Sequence, residues 1–173
     1  GSAFTPAVVV KDGSTTLTET TDYTIAYTDN TNVGTATITI TGAGNYTGTT
    51  TQTFAIAAKA ASTLTIDPIA NQTYTGSAIT PGVVVKDGST TLTETTDYTI
   101  AFTDNTNVGT ATITITGAGN YTGTKTQTFV IAAKAASTLT IDPIANQTYT
   151  GSAITPGVVV KDGSTTLTET TDY

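Results

Sequence analysis

The sequence predicts an all-β chain made of small β-sandwich domains in tandem, in an elongated array. Three observations predict it. The chain repeats with a period of 75 residues: residues 1–75 match 76–150 at all but five positions, and 151–173 repeat 76–98 without change. Short stretches alternate apolar residues with threonine, a β-branched residue that sits in a strand at little cost. No window shows the 3.6-residue apolar period of an amphipathic helix. The five differences are Phe4/Ile79, Ala7/Gly82, Tyr27/Phe102, Thr50/Lys125 and Ala55/Val130. Such a period is too long for one coil of a solenoid but long enough for a small β-domain with a thin core.

The elements follow in order along one copy. Thr63 to Ile66 alternates and reads as an opening strand, ended by Asp67-Pro68. Tyr74 to Ser77 is turn-like. Val83 to Lys86 reads as a second strand, preceded by Pro81, whose missing N–H suits a strand start or an edge. Asp87-Gly88 signals a hairpin, with Thr90 to Thr93 as its return. Tyr98 to Thr103 alternates with Tyr98, Ile100 and Phe102 on one face. Asp104 to Gly109 reads as a loop. Thr110 to Thr116 is the cleanest strand, with Ala111, Ile113 and Ile115 facing in and four threonines facing out. Gly117, Gly119 and Gly123 mark a turn around Asn120-Tyr121, and Thr126 to Ile131 closes the copy. Short strands with regular turn signals suit a sandwich or barrel, and faces that alternate apolar residues with Thr suit two antiparallel sheets, each wet on one side.

The segment Ala57 to Ser62, and its counterpart Ala132 to Ser137, reads as the joint between domains; five helix formers are too few to hold a helix alone. Joints near Asn71-Gln72 or Gly76-Ser77 are the alternative. With the alanine joint, residues 1–61 are a partial repeat lacking its first strand. Residues 62–136 are a complete repeat, and 137–173 are the opening part of a third. This framing leads to the expectation that the C-terminal segment of one molecule completes the N-terminal repeat of the next by strand exchange, or that the chain is a window of a longer fibre.

Composition narrows the function. There are six Lys, no Arg, thirteen acidic residues and no His, for a net charge of -7, and no Cys, Met or Trp. Without His or Cys there is no zinc set of the usual kind, no Ser–His or Cys–His nucleophile pair and no disulfide framework. The acidic balance offers no footprint for nucleic acid and no attraction to an anionic membrane. No apolar stretch long enough to insert into a membrane occurs, and export is expected to be encoded in a larger precursor.

Tyr74-Thr75-Gly76-Ser77-Ala78-Ile79-Thr80-Pro81, Asp97-Tyr98-Thr99, Thr106-Asn107-Val108-Gly109-Thr110-Ala111 and Gly117-Ala118-Gly119-Asn120-Tyr121-Thr122-Gly123-Thr124 carry a resemblance. They are similar to the bacterial immunoglobulin-like (Big/MBG-type) tandem repeats of large cell-surface proteins and adhesins. The resemblance implies small immunoglobulin-like β-sandwiches, an extracellular location and service as a stalk or adhesin segment. It implies no catalytic residue and no cofactor.

Several residues invite a chemical reading. Asp29 to Gly34 has the look of a calcium loop, but its third position is Thr and its fifth is Val, so it reads as a turn. Lys86 is read as a solvent-facing lysine before a hairpin rather than one partner of an isopeptide cross-link. Glu94 and Asp97 are close in sequence and read as solubilising charge rather than a glycosidase pair. The sequons at Asn45, Asn71, Asn120 and Asn146 arise easily in Thr-rich sequence. The row Thr110-x-Thr112-x-Thr114-x-Thr116 is read as a wet strand face rather than an ice-binding array. No catalytic, cofactor-binding or metal-binding residue is assigned. The expected function is a structural stalk or filament outside the cell. Its partners are neighbouring repeats or identical chains, head to tail. The alternative is an adhesin module that recognises a glycan or host protein through Asn120, Tyr121 or the loop Asp104 to Asn107.

Overall fold

The alternation of Ile and Thr through residues 109–117 makes a strand with one dry face and one wetter face, and the same pattern at 34–42 makes its counterpart. The computed structural model describes residues 1–173. The chain is all-β with several sheets and no α-helix. No helix is long and apolar enough to cross a membrane.

In chain order, residues 1–61 hold β1 (Lys11–Asp12), β2 (Thr15–Thr16), β3 (Tyr23–Thr28), β4 (Gly34–Gly42), β5 (Thr49–Ile56) and β6 (Lys59–Ala60). Residues 62–136 hold β7 (Thr65–Ile66), β8 (Gln72–Thr73), β9 (Val85–Asp87), β10 (Thr90–Thr91), β11 (Tyr98–Thr103), β12 (Gly109–Gly117), β13 (Tyr121–Thr122) and β14 (Thr124–Ala132). Residues 137–173 hold β15 (Thr140–Ile141), β16 (Val160–Asp162) and β17 (Thr165–Thr166). Single 3₁₀ turns at Ala61–Thr63 and Ala136–Thr138 follow the two alanine segments.

The backbone gathers into two compact units. One comprises Gly1–Ile69, Pro81–Thr103 and Thr112–Thr128; the other comprises Ala70–Thr80, Asp104–Ala111 and Phe129–Tyr173. In the first unit β3-β4-β5 is an antiparallel sheet, with Ile25 opposite Ile40 and Tyr27 opposite Ile38. The same unit holds the small sheet β10-β9-β7 and the antiparallel pair β11–β12. In the second, β8 runs parallel to β14, with Gln72 opposite Ile131 and Thr73 opposite Ala132, and β15-β16-β17 forms its own sheet. The parallel pairs β6–β13 and β8–β14 depart from the wholly antiparallel expectation. Both involve two-residue strands delivered by a long connection, for which a tight hairpin is not required.

The expected strands 98–103 and 110–116 are present, the latter one residue longer at each end. The second strand is shorter than expected: only Val85, Lys86 and Asp87 join a ladder, while the Val84 carbonyl accepts a single bond, from the Asp67 N–H at 3.0 Å. The hairpin at Asp87-Gly88 is present, with Gly88 at φ +59°. Its return strand is limited to Thr90–Thr91.

Ala111, Ile113 and Ile115 are fully buried, as are Val85 and Ile131. The opening strand supplies Leu64 and Ile66, both buried; each such side chain contributes about 1.5–3 kcal/mol of hydrophobic stabilisation. In the first 61 residues Tyr23, Ala36, Ile38, Ile40 and Ala61 are buried, with Val10, Leu17 and Phe54 only partly covered against Tyr23, Ile38 and Ile40. The turn before β11 is repeated with its strain. Thr20, Thr95 and Thr170 sit at φ of 70°, 71° and 67°, a region that penalises a β-branched residue. The turn is held by Asp97, whose carboxylate accepts the Thr93 N–H at 2.9 Å, and by its counterparts Asp22 and Asp172.

Candidate functional site: the joint between copies

The turn after β12 is shaped by two glycines. A Cβ on Gly117 would lie 2.7 Å from the Thr122 nitrogen. One on Gly119, at φ +59°, would lie 2.8 Å from the Thr96 carbonyl oxygen. Only glycine permits so close a fold-back. The Ala118 N–H bonds the Asp97 carbonyl at 2.8 Å and the Tyr121 N–H bonds the Ala118 carbonyl at 3.0 Å. The result presents Asn120 and Tyr121 from a rigid turn.

Apart from Asp87, what they meet belongs to the preceding copy. The Lys59 N–H donates to the Asn120 carbonyl at 2.9 Å, and β6 then runs parallel to β13, with Lys59 opposite Tyr121 and Ala60 opposite Thr122. The Asn120 side chain reaches the loop between β3 and β4. Its Oδ1 accepts the Val33 N–H at 2.8 Å, and its Nδ2 donates to Asn32 Oδ1 at 3.1 Å. Lys59 Nζ pairs with Asp87 Oδ1 at 2.6 Å, and the Tyr121 hydroxyl donates to Asp87 Oδ2 at 3.2 Å. Phe4, Ile56 and Ala57 line an open hollow beside these groups. The alanine segment thus carries a short strand and a 3₁₀ turn and is hydrogen-bonded to the turn after β12.

The electrostatics follow from these contacts. The hydrogen bond from the Lys59 ammonium holds the Asp87 carboxyl below the usual carboxylate value; partial burial opposes this, and the Tyr121 hydroxyl assists. Burial raises the Tyr121 phenol above its ordinary value, and the bond to the Asp87 carboxylate raises it further. The ion pair recurs one period later as Lys134 with Asp162. In the first copy Tyr46 donates to Asp12 Oδ2 at 3.2 Å, the same contact as Tyr121 with Asp87, but no lysine pairs with Asp12 and Asn45 is exposed.

The other residues singled out from sequence have structural partners. Asn30 clasps Phe4: its Nδ2 donates to the Phe4 carbonyl at 2.7 Å, and its own carbonyl accepts the Phe4 N–H at 2.7 Å. Asn105 does the same for Ile79, at 2.9 and 2.8 Å. Lys86 is not simply solvent-facing: it pairs with Asp67 at 2.6 Å, as Lys161 does with Asp142 at 2.5 Å. Asp97 caps its turn, while Glu94 contributes a backbone bridge to Tyr98. Nowhere do three or more acidic, His or Cys groups converge as a metal set would require. Asn45 and Asn71 are exposed, whereas Asn120 is engaged in the joint. Thr112 and Thr114 are half-buried, so the threonine row of β12 is not an open flat array.

The sequence reads Asn120-Tyr121 as a turn, with a ligand-binding loop only in the alternative reading, and nothing in it pairs Lys59 with Asp87. The one available signal was an opposite-charge pair at a spacing of 28 that recurs at Lys134 and Asp162. No protein-family model, curated protein sequence or solved structure matches this chain.

Proposed function

We propose that the chain is a structural segment: tandem immunoglobulin-like β-sandwich repeats that extend a stalk or filament of a bacterial surface protein outside the cell. Its partners are its own neighbouring repeats and identical chains. The observation that carries this reading is the joint. A spacer must transmit force and orientation from one repeat to the next. Asn120 supplies two side-chain bonds, β6 pairs with β13, and Lys59 pairs with Asp87, all within residues that the period repeats. The Lys134–Asp162 pair supports the reading, because it places the same contact one period later. No nucleic acid is expected at so acidic a chain, and no residue is assigned to catalysis, a cofactor or a metal.

Stretching single molecules of the chain tests this. Discrete unfolding, with the longest step from the complete repeat 62–136, is expected, and a featureless coil-like response refutes it. Substituting Asn120→Ala is expected to leave the step length unchanged and to increase bending between steps.

A second reading, an adhesin module for a surface glycan or host protein, draws support from the polar hollows at Asp29 to Thr35 and Asp104 to Thr110. Glycan-array binding that is lost on Asn107→Ala favours that reading over the spacer.

A further inference from the structure

The lysine–aspartate pairs of this chain are of two kinds. In Lys59–Asp87 and Lys134–Asp162 the aspartate is followed by glycine. In Lys86–Asp67 and Lys161–Asp142 it is followed by proline, and these are the only Asp-Pro bonds in the sequence.

The strand register brings the second kind together. Thr65 lies opposite Lys86 and Ile66 opposite Val85, so Asp67 is the diagonal neighbour of Lys86 on one face, a spacing that a lysine spans. The Asp67 N–H, bonded to the Val84 carbonyl at 3.0 Å, fixes the residue there. Lys86 Nζ then sits 2.6 Å from Asp67 Oδ2, with both side chains part-buried. One period later Thr140 and Ile141 pair with Lys161 and Val160 in the same way. The Asp142 N–H bonds the Val159 carbonyl at 3.0 Å, and Lys161 Nζ lies 2.5 Å from Asp142 Oδ2. In both copies the proline is exposed, and neither it nor the residue after it joins a strand.

Proline changes what such an aspartate can do. An ordinary backbone N–H after aspartate permits ring closure onto the side-chain carbonyl; proline has no N–H. The intramolecular path left is attack of the carboxylate on its own main-chain carbonyl carbon, and the nitrogen of a tertiary amide departs more readily than that of a secondary one. A carboxylate nucleophile beside a lysine that can give a proton and then act as an amine makes a two-step acyl-transfer set.

We propose that Asp67-Pro68 with Lys86, and Asp142-Pro143 with Lys161, are self-processing sites that exchange a main-chain amide for a side-chain cross-link. The Asp67 carboxylate attacks the Asp67 main-chain carbonyl carbon. The C–N bond to Pro68 breaks, and the prolyl nitrogen takes a proton from the Lys86 ammonium. This leaves a cyclic anhydride on Asp67 and a neutral amine on Lys86. The amine attacks the Cγ carbonyl of the anhydride, the Cγ–O bond to the main-chain carboxyl breaks, and the proton shed by the nitrogen goes to the Pro68 amine. The product carries an Asp67–Lys86 amide, a free Asp67 α-carboxylate and a protonated Pro68 terminus. Nothing else enters or leaves the balance. The reaction is a single self-modification rather than turnover of a substrate, and it does not rest on the spacer reading. It ties the end of β7 to β9, so tension passes from Asp67 straight to Lys86 and residues 68–85 drop out of the loaded path.

The test holds the full chain folded for days and reads intact mass, denaturing gels and amino-terminal sequencing. A new terminus beginning Pro-Ile-Ala is expected, in a species of unchanged mass that does not separate into fragments. Peptide mapping is expected to place the linkage on Lys86 and Lys161, and not on Lys59 or Lys134. Lys86→Arg keeps the cation but accepts no acyl group. Water then opens the anhydride, fragments 1–67 and 68–173 separate, and the linked product at that site is expected to fall about tenfold or more. Asp67→Ala is expected to stop both outcomes at that site. In the urea-unfolded wild-type chain the linked product is expected to fall about a hundredfold or more, because the positioning is lost. Absence of the Pro68 and Pro143 termini in the folded wild type overturns the proposal, as does linkage formed equally fast in urea. Separate fragments in the folded wild type overturn the role of the lysines. The wild-type and urea measurements need no substitution and decide the matter even where a variant fails to fold.

Discussion

Residues 1–61 and 76–136 carry nearly the same sequence and differ in what surrounds them. Ile38 and Ile40 keep a few per cent of their surface in water, whereas their counterparts Ile113 and Ile115 keep none. Val10 and Leu17 are partly covered, whereas Val85 and Leu92 are buried. Tyr46-Thr47 is not a strand, whereas the identical Tyr121-Thr122 is β13, because only the latter has β6 alongside it. Identical side chains thus reach different burial and different secondary structure. In this molecule local sequence sets which residues can form a strand, and the partner decides whether they do.

Matched substitutions at positions 75 apart break or sharpen that comparison. The largest effect is expected at the opening strand. Leu64→Ala should destabilise the chain by about 2–5 kcal/mol in urea unfolding. The same change at Leu139, which is half-exposed, should cost under about 0.5 kcal/mol in the dilute chain. Next is the joint. Asn120→Ala removes two hydrogen bonds and should cost about 1–2 kcal/mol, whereas Asn45→Ala, at an exposed side chain, should stay within about 0.5 kcal/mol. Third, Thr95→Gly relieves the backbone at φ 71° and should stabilise by about 1 kcal/mol after the entropic penalty of glycine. The smallest effect is electrostatic. Because the Asp87 carboxyl is held low in the folded chain, its contribution is complete above the ordinary carboxylate range and is lost as pH falls through the depressed value. The Tyr121 phenol is raised, so its contribution is complete below the ordinary tyrosine range and is lost as pH rises through the raised value. With Lys59 half in water, the ion pair should be worth under about 1 kcal/mol. A pH titration of unfolding should show the acid limb shrink on Lys59→Ala.

The strand pattern was legible because alternation is local. Tyr98 to Thr103 and Ala111, Ile113 and Ile115 fall as their spacing requires. The second strand falls short of its pattern because three valines signal β-propensity without signalling a partner, and of the three only Val85 joins a ladder. The joint was not legible for a different reason. Asn120 meets Val33 from 87 positions away, and its twin Asn45 has the same neighbours in sequence and no such bond. Nothing within a single period distinguishes the two. The clasp of Asn30 on Phe4, 26 positions apart, was likewise hidden inside a loop that read as turn chemistry.

The identity of residues 62–75 and 137–150 has a kinetic consequence. A newly made chain must choose which of two equivalent segments fills a given slot, and the contacts themselves provide no preference. The remaining discriminator is the length of chain that must be looped out, and doubling that length costs only about 0.6 kcal/mol. Correct assembly of such a sequence therefore depends on the order in which its parts emerge and on how dilute they are when they collapse.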